Sequence, residues 1–249
     1  MLFQEGNAGV SERILHKESM IWLIATPSAR VMREGQSFFE LRMLPGGSVL
    51  AGGQFGLLPR LSVGVSYGGR VYLSNQKTDW NEAPGIFAQY AICSETYVFP
   101  TVALGVITQG WGDYETNPAT GDRRYYLKAP GVFIVGGKTF NWQHCCGKFT
   151  PSVGVNYNPF EDEDDADFDL FFGFHKPLWS GWDAALEYQL GHNDNSPKAY
   201  GKKQGYLNGK LGISIAETWV LELGALDLNV NHKTADTETR FIRLIKISR

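Results

Sequence analysis

With 249 residues, 23 basic and 26 acidic side chains and a net charge of −3, the chain offers no basic field for nucleic acid. No apolar run approaches the ~20 residues of a membrane-spanning helix, so any membrane residence has to be as a closed barrel, the other structure that satisfies its backbone in lipid. Its 29 glycines and 13% aromatic residues suit short strands with tight turns, and a mean hydropathy of −0.22 does not exclude a membrane, because half of each barrel strand faces water.

Residues 1–35 read as an irregular N-terminal segment. The one candidate apolar core of a secretory signal, Ile21 to Ala25, is shorter than the roughly 7–15 residues required and lies near acidic Glu18, which argues against export as written. From Gln36 onward the pattern predicts strands near 36–44, 47–56, 60–71, 83–93, 100–112, 127–140, 148–158, 167–176, 182–192, 205–215, 218–230 and 239–248, about twelve in all. Brief turns near 57–59, 94–99, 141–147, 177–181 and 216–217 alternate with longer polar connections near 72–82, 113–126, 159–166, 193–204 and 231–238. The turn Pro45-Gly46-Gly47 falls on the long-loop side. Short turns inside and long loops outside are the habit of outer-membrane barrels.

Three hairpins obey one parity rule. In 47–68 the outward set is Val49, Ala51, Gly53 and Phe55 against Tyr67, Val65, Val63 and Leu61. In 167–191 the apolar face pairs Phe168 with Leu190, Leu170 with Tyr188, Phe172 with Leu186 and Phe174 with Ala184, while Asp169, Phe171, Glu187 and Gln189 share the other face. In 209–225, Gly209, Leu211, Ile213 and Ile215 face Ala225, Leu223, Leu221 and Trp219. A continuous apolar face opposite a face of small, charged and amide residues is how a barrel looks with lipid outside and water inside. In the last strand Ile242 and Leu244 disagree in parity with Ile245 and Ile247, which predicts a bulge.

The segment Met20-Ile21-Trp22-Leu23-Ile24-Ala25-Thr26-Pro27-Ser28-Ala29-Arg30, followed by Glu34-Gly35, resembles the opening of the YjbH-like outer-membrane proteins. Residues 55–65, 83–90 and 99–106 resemble the turn and strand pair that follow there. The likeness covers most of 20–249 and rests on structural motifs. It implies an envelope β-barrel, some members being linked to exopolysaccharide production, with no catalytic residues to carry over. The chain departs from such barrels in ending on Arg249 and not on a terminal aromatic residue.

Inward parity makes Glu40, Arg42, Gln89, Asp169, Glu187, Gln189, Lys210 and Glu222 the lumen-lining residues, with Arg240 or Arg243 according to the last strand's register. Charges of both signs in a barrel of intermediate width either line a small aqueous path or pair across it, and the reading leans to a narrow or occluded interior. The acidic run Glu161, Asp162, Glu163, Asp164 and Asp165 is a candidate site for a divalent cation, since hard cations take clustered carboxylate oxygens, weighed against a solvated loop held open by its own repulsion. His144-Cys145-Cys146 has metal-ligand types without zinc spacing, and a bridge from Cys93 to Cys145 or Cys146 is weighed against free thiols. For catalysis the best candidates, His192 and Asp167, fall on opposite faces, and His175 with Asp183 reads as a satisfied pair.

The sequence therefore predicts an all-β chain: one closed antiparallel up-and-down transmembrane β-barrel of about twelve strands over 36–249. It is expected in the bacterial outer membrane, without cofactor or enzymatic activity, as an envelope protein or narrow passive pore. Expected partners are outer-membrane lipid, lipopolysaccharide and the envelope polysaccharide machinery. The alternative of another class is a soluble or periplasmic β-barrel binding an apolar ligand, whose apolar strand faces would point inward; an outer-membrane hydrolase is a third.

Overall fold

The computed structural model describes residues 21–44, 47–71, 78–116, 121, 123–142, 147–161, 165–179, 181–233 and 239–248. The strands among them are β1 (Ser37–Met43), β2 (Ser48–Leu58), β3 (Leu61–Arg70), β4 (Asp79–Trp80), β5 (Gly85–Cys93), β6 (Thr101–Ile107), β7 (Trp111–Thr116), β8 (Arg123–Leu127), β9 (Gly131–Gly137), β10 (Phe140–Trp142), β11 (Gly147–Tyr157), β12 (Asp169–Pro177), β13 (Trp182–Gln189), β14 (Tyr206–Ala216), β15 (Trp219–Leu226) and β16 (Thr239–Ser248). Twelve of these form an antiparallel ring in the order β1, β2, β3, β5, β6, β9, β11, β12, β13, β14, β15, β16. The ring closes where β16 returns to β1, from Ser37 opposite Ser248 to Met43 opposite Ile242. Closure leaves no stave with an unpaired edge.

Each predicted strand has a counterpart among the twelve staves. The strand expected over 100–112 stops at Ile107, and Trp111 instead opens a separate two-stranded ribbon, β7–β8. Short β4 pairs with β3 and short β10 with β11, extending the wall at its two rims.

Registers differ from expectation by two residues in two hairpins. Phe172 faces Tyr188 and Phe174 faces Leu186, because pairing continues to Pro177 opposite Asp183. Likewise Ala51 faces Tyr67, and a bulge at Gly56/Leu58 carries the pair Leu58–Leu61 around the turn. A shift of two preserves parity, so no side chain changes face. The 209–225 hairpin has the expected register to Ile213, and a bulge between Ser214 and Ala216 replaces the expected Ile215–Trp219 pair. The bulge expected in the last strand is absent: β16 alternates regularly, with Phe241, Arg243, Ile245 and Ile247 inward.

The outside is apolar. Val65, Ile86, Val132, Val153, Phe172, Leu186, Leu211, Leu223 and Ile242 are exposed around the ring. Aromatic pairs mark both rims: Tyr67 stacks on Trp80 and Tyr157 meets Phe168 at the long-loop end, while Phe149 stacks between Phe140 and Phe174 and Trp179 meets Trp182 at the short-turn end. A closed ring with an apolar band between two aromatic girdles is the form of a transmembrane barrel. The soluble alternative required these faces to point inward, and they point out.

Candidate functional site in the lumen

Among the described residues, an insert and inward apolar side chains occupy the lumen. Residues 21–32 enter it as a tight hairpin: Trp22 bridges to Pro27, the Ser28 amide donates to the Ile21 carbonyl (3.0 Å) and the Leu23 amide to the Thr26 carbonyl (3.0 Å). Ile21, Trp22, Leu23, Ala29 and Met32 join an interior cluster with inward Phe38, Phe87, Phe133, Phe171, Ile245 and Ile247. The inward apolar residues of β16 therefore have a partner inside the ring, which is why no bulge is needed to turn them away. Gly173 makes room for the hairpin, since a Cβ there would lie 2.3 Å from Leu23 Cδ1. Ile21 to Ala25, the stretch weighed above as a signal core, leads into the buried tip of this insert.

The tip turn leaves three successive amides without backbone partners, and the lumen wall supplies one carboxylate for all of them. Ile24 N–H, Ala25 N–H and Thr26 N–H donate to Glu187 Oε2 at 3.0, 3.0 and 2.9 Å, and the Thr26 hydroxyl adds a fourth bond at 2.7 Å. Glu187 Oε1 is held by Gln189 Nε2 (2.9 Å) and Asn208 Nδ2 (2.8 Å). Gln89 Nε2 fixes the outgoing arm through the Ser28 carbonyl at 2.7 Å, and Ser62 Oγ accepts from the Met32 amide at 2.8 Å.

Beside this latch runs a ladder of buried charges. Arg42 Nη2 contacts Glu40 Oε1 at 2.7 Å, Arg243 Nε lies 3.2 Å from Glu40 and 3.3 Å from Glu222, and Lys210 pairs closely with Glu222. Arg243 thus faces inward and Arg240 outward. The Arg42 guanidinium also lies between Trp22 of the hairpin (5.0 Å) and Trp111 of the ribbon (4.4 Å), so one cation touches both inserts. Of the other lumen candidates, Gln189 is half-buried and Asp169 stands apart, accepting the His192 amide at 3.0 Å. His175 Nε2 lies 3.4 Å from Asp183 although its register partner is Ala185.

The second insert comes from the long-loop end. Trp111 and Leu127 of the ribbon cluster with Ile24 and Ala25 of the hairpin tip and with Leu226 and Phe241 of the wall. Ion pairs tie the ribbon across the mouth: Arg70 to Asp113 and Glu115, Arg123 to Glu82, and Arg124 to Asp194 at 2.6 and 3.0 Å. Asp194 also accepts the Tyr200 amide at 3.0 Å and the Tyr206 hydroxyl. Burial disfavours its charge, but the Arg124 guanidinium and these hydrogen bonds outweigh it and hold the carboxyl down at about 2. His232, stacked on Tyr126, is pushed down to about 4 by burial and then by the Arg124 charge.

Glu161 and Asp165 are buried, not splayed into solvent. Glu161 accepts the Ala129 amide at 2.8 Å, and Asp165 accepts the amides of Asn195 (2.6 Å) and Ser196 (2.8 Å). Asp162, Glu163 and Asp164 lie outside the described residues, as do His144, Cys145 and Cys146, and Cys93 is unbridged. Asp167 is not inward as expected: it precedes β12 and is exposed, as is His192, whose amide belongs to Asp169.

Neither a family model nor a curated relative matches the sequence. Among solved structures the chain is similar to the KdgM porin, with TM-score 0.49, 9% identity and coverage of 86% of this chain and 98% of that one. It is also similar to the outer membrane channel DcaP of Acinetobacter baumannii, with TM-score 0.33, 11% identity and coverage of 86% and 96%. For Pseudomonas putida OprB the values are 0.35, 10%, 82% and 60%. At these scores the likeness is one of outline, and the closed strand ring itself carries the fold.

Proposed function

We propose that this chain is a bacterial outer-membrane barrel that seals at rest, with its short turns in the periplasm, its long loops outside and its lumen stoppered by residues 21–32. The observation that carries this reading is the Glu187 latch: a wall carboxylate buried in the lumen accepts three consecutive tip amides. Twelve staves lie between the ~8 whose interior side chains fill and the 16–18 that leave a channel, so the interior needs a filler, and the hairpin is one. With it in place the protein serves as an envelope barrel; displaced, it leaves a narrow passive pore lined by Glu40, Arg42, Lys210, Glu222 and Arg243. The YjbH-like resemblance belongs to the same proposal, since its opening motif coincides with the hairpin, and it supports lipopolysaccharide and envelope polysaccharide machinery as partners.

The test is conductance. Purified in detergent, the chain should migrate as a heat-modifiable folded species and give no steady conductance in planar bilayers, whereas deletion of 21–32 should give open steps. Steady conductance from the unaltered chain would overturn the sealed reading.

A further inference from the structure

At the short-turn mouth, between the outgoing arm of the hairpin and the wall, lies an open cleft of about 610 Å³, within the size range of small-molecule sites. Its described lining carries three basic side chains, Arg30, Arg33 and Lys148, against one acidic, Glu95, in a chain whose net charge is −3. Glu95 accepts the Thr139 amide at 3.0 Å and interacts with the charge of Arg30, which Thr139 Oγ1 positions at 3.3 Å, so the described lining keeps an excess of two cations. Ser94, Thr96, Thr101 and Thr139 also line the cleft. At its edge the Tyr97 ring is 98% exposed, although its own turn is fixed by Lys138 Nζ, which donates to the carbonyls of Tyr97 (2.7 Å) and Val98 (2.6 Å). A bare aromatic ring on an anchored turn has an unused apolar face.

We infer that this cleft binds an acidic oligosaccharide. Carboxylates would meet Arg33 and Lys148 beside the Arg30–Glu95 pair, ring hydroxyls would meet the Ser and Thr side chains, and a sugar face would lie on Tyr97. A simple inorganic anion would need the cations but neither the hydroxyls nor the ring. The inference rests on the proposed function only for the compartment that supplies the ligand, since binding requires neither conduction nor hairpin movement.

The experiment is calorimetric titration of the detergent-solubilised full chain with a trimer of mannuronic acid, using maltotriose and sulfate as controls. The trimer should bind at least tenfold tighter than either control, with affinity falling as salt rises. The double variant Arg33→Gln, Lys148→Gln alters two exposed side chains and keeps the fold; it should weaken the trimer at least tenfold, and Tyr97→Ala should weaken the trimer but not sulfate. Equal binding of trimer and maltotriose, equal binding of trimer and sulfate, or an unchanged double variant would each overturn the inference. If deletion of 21–32 opens conductance while the unaltered chain ignores the trimer, the cleft assignment fails and the sealed-barrel reading stands.

Discussion

The two inserts that enter the lumen share an apolar cluster but are held to the wall by different means. The hairpin from the short-turn end buries Ile21, Trp22, Leu23 and Ile24 and spends a single wall carboxylate on its tip. The ribbon from the long-loop end is tied at its rim by the pairs of Arg70 and Arg123, whose partners Glu115 and Glu82 are exposed, and deeper in by the buried pair of Arg124 with Asp194. Apolar burial has no charge to screen or titrate, whereas exposed rim ion pairs are screened by salt and titrate. The inner stopper should therefore hold across conditions that loosen the outer one.

The sharpest way to break this contrast is Glu187→Ala. It strands three buried amides, at roughly 1–3 kcal/mol each, in a place where no other carboxylate among the described residues reaches them. Bilayer recordings should show frequent openings and melting should move down by several degrees, while Glu187→Gln, which keeps an acceptor, should be milder. A silent, stable Glu187→Ala protein would show that burial alone seats the hairpin.

One residue away the chain faces lipid, which gives the next largest effect. Leu186→Arg should cut folded insertion into vesicles, at a cost of about 2–4 kcal/mol near the midplane, whereas half-buried Gln189→Ala should insert normally. Insertion is read from the heat-modifiable fraction, and equal yields would place Leu186 away from lipid.

The outer face was legible because lipid contact imposes strict alternation, and alternation survives a two-residue slip such as Phe172 meeting Tyr188 in place of Leu186. The inner face was legible only where charge marked it, at Glu40, Arg42, Lys210 and Glu222. Inward Phe38, Phe87, Phe133 and Phe241 contradicted a watery lumen. Read together with the conflicting parity of Ile245 and Ile247, they were the available sign that something apolar fills the barrel. The filler carries no period of its own: its order comes from the wall around it, so residues 21–32 read as irregular. The ribbon was hidden for a similar reason, because Trp111 continues the apolar pattern of β6 beyond the stave that ends at Ile107.

Acid should separate the two closures. His232 is held at about 4 against an ordinary 6.5, so between those values the unfolded loop binds the proton that the folded cap refuses, and cap stability falls as pH drops from 6.5 to 4. Asp194, at about 2 against 3.8, loses its contribution over the next interval down, from about 4 to about 2. The histidine step is worth at most roughly 3 kcal/mol. Protease clipping of the 190–205 and 227–233 connections should accelerate below pH 6 while conductance stays closed. His232→Phe should remove the first step and Asp194→Asn the second; clipping that is flat with pH would break the contrast.

The smallest effect concerns the acidic run, and it divides the run in two. Glu161 and Asp165 are spent on backbone amides of Ala129, Asn195 and Ser196, so Asp165→Asn should cost about 1–3 kcal/mol and lower the melting point of the cap. Asp162, Glu163 and Asp164, which lie outside the described residues, then remain to carry the expected response to divalent cations. Changing those three to Asn or Gln should leave melting unchanged in chelator and abolish any rise that calcium gives the unaltered chain. If calcium stabilises both proteins equally, or neither, the run has no cation role, and its two outer members act through the amides they hold.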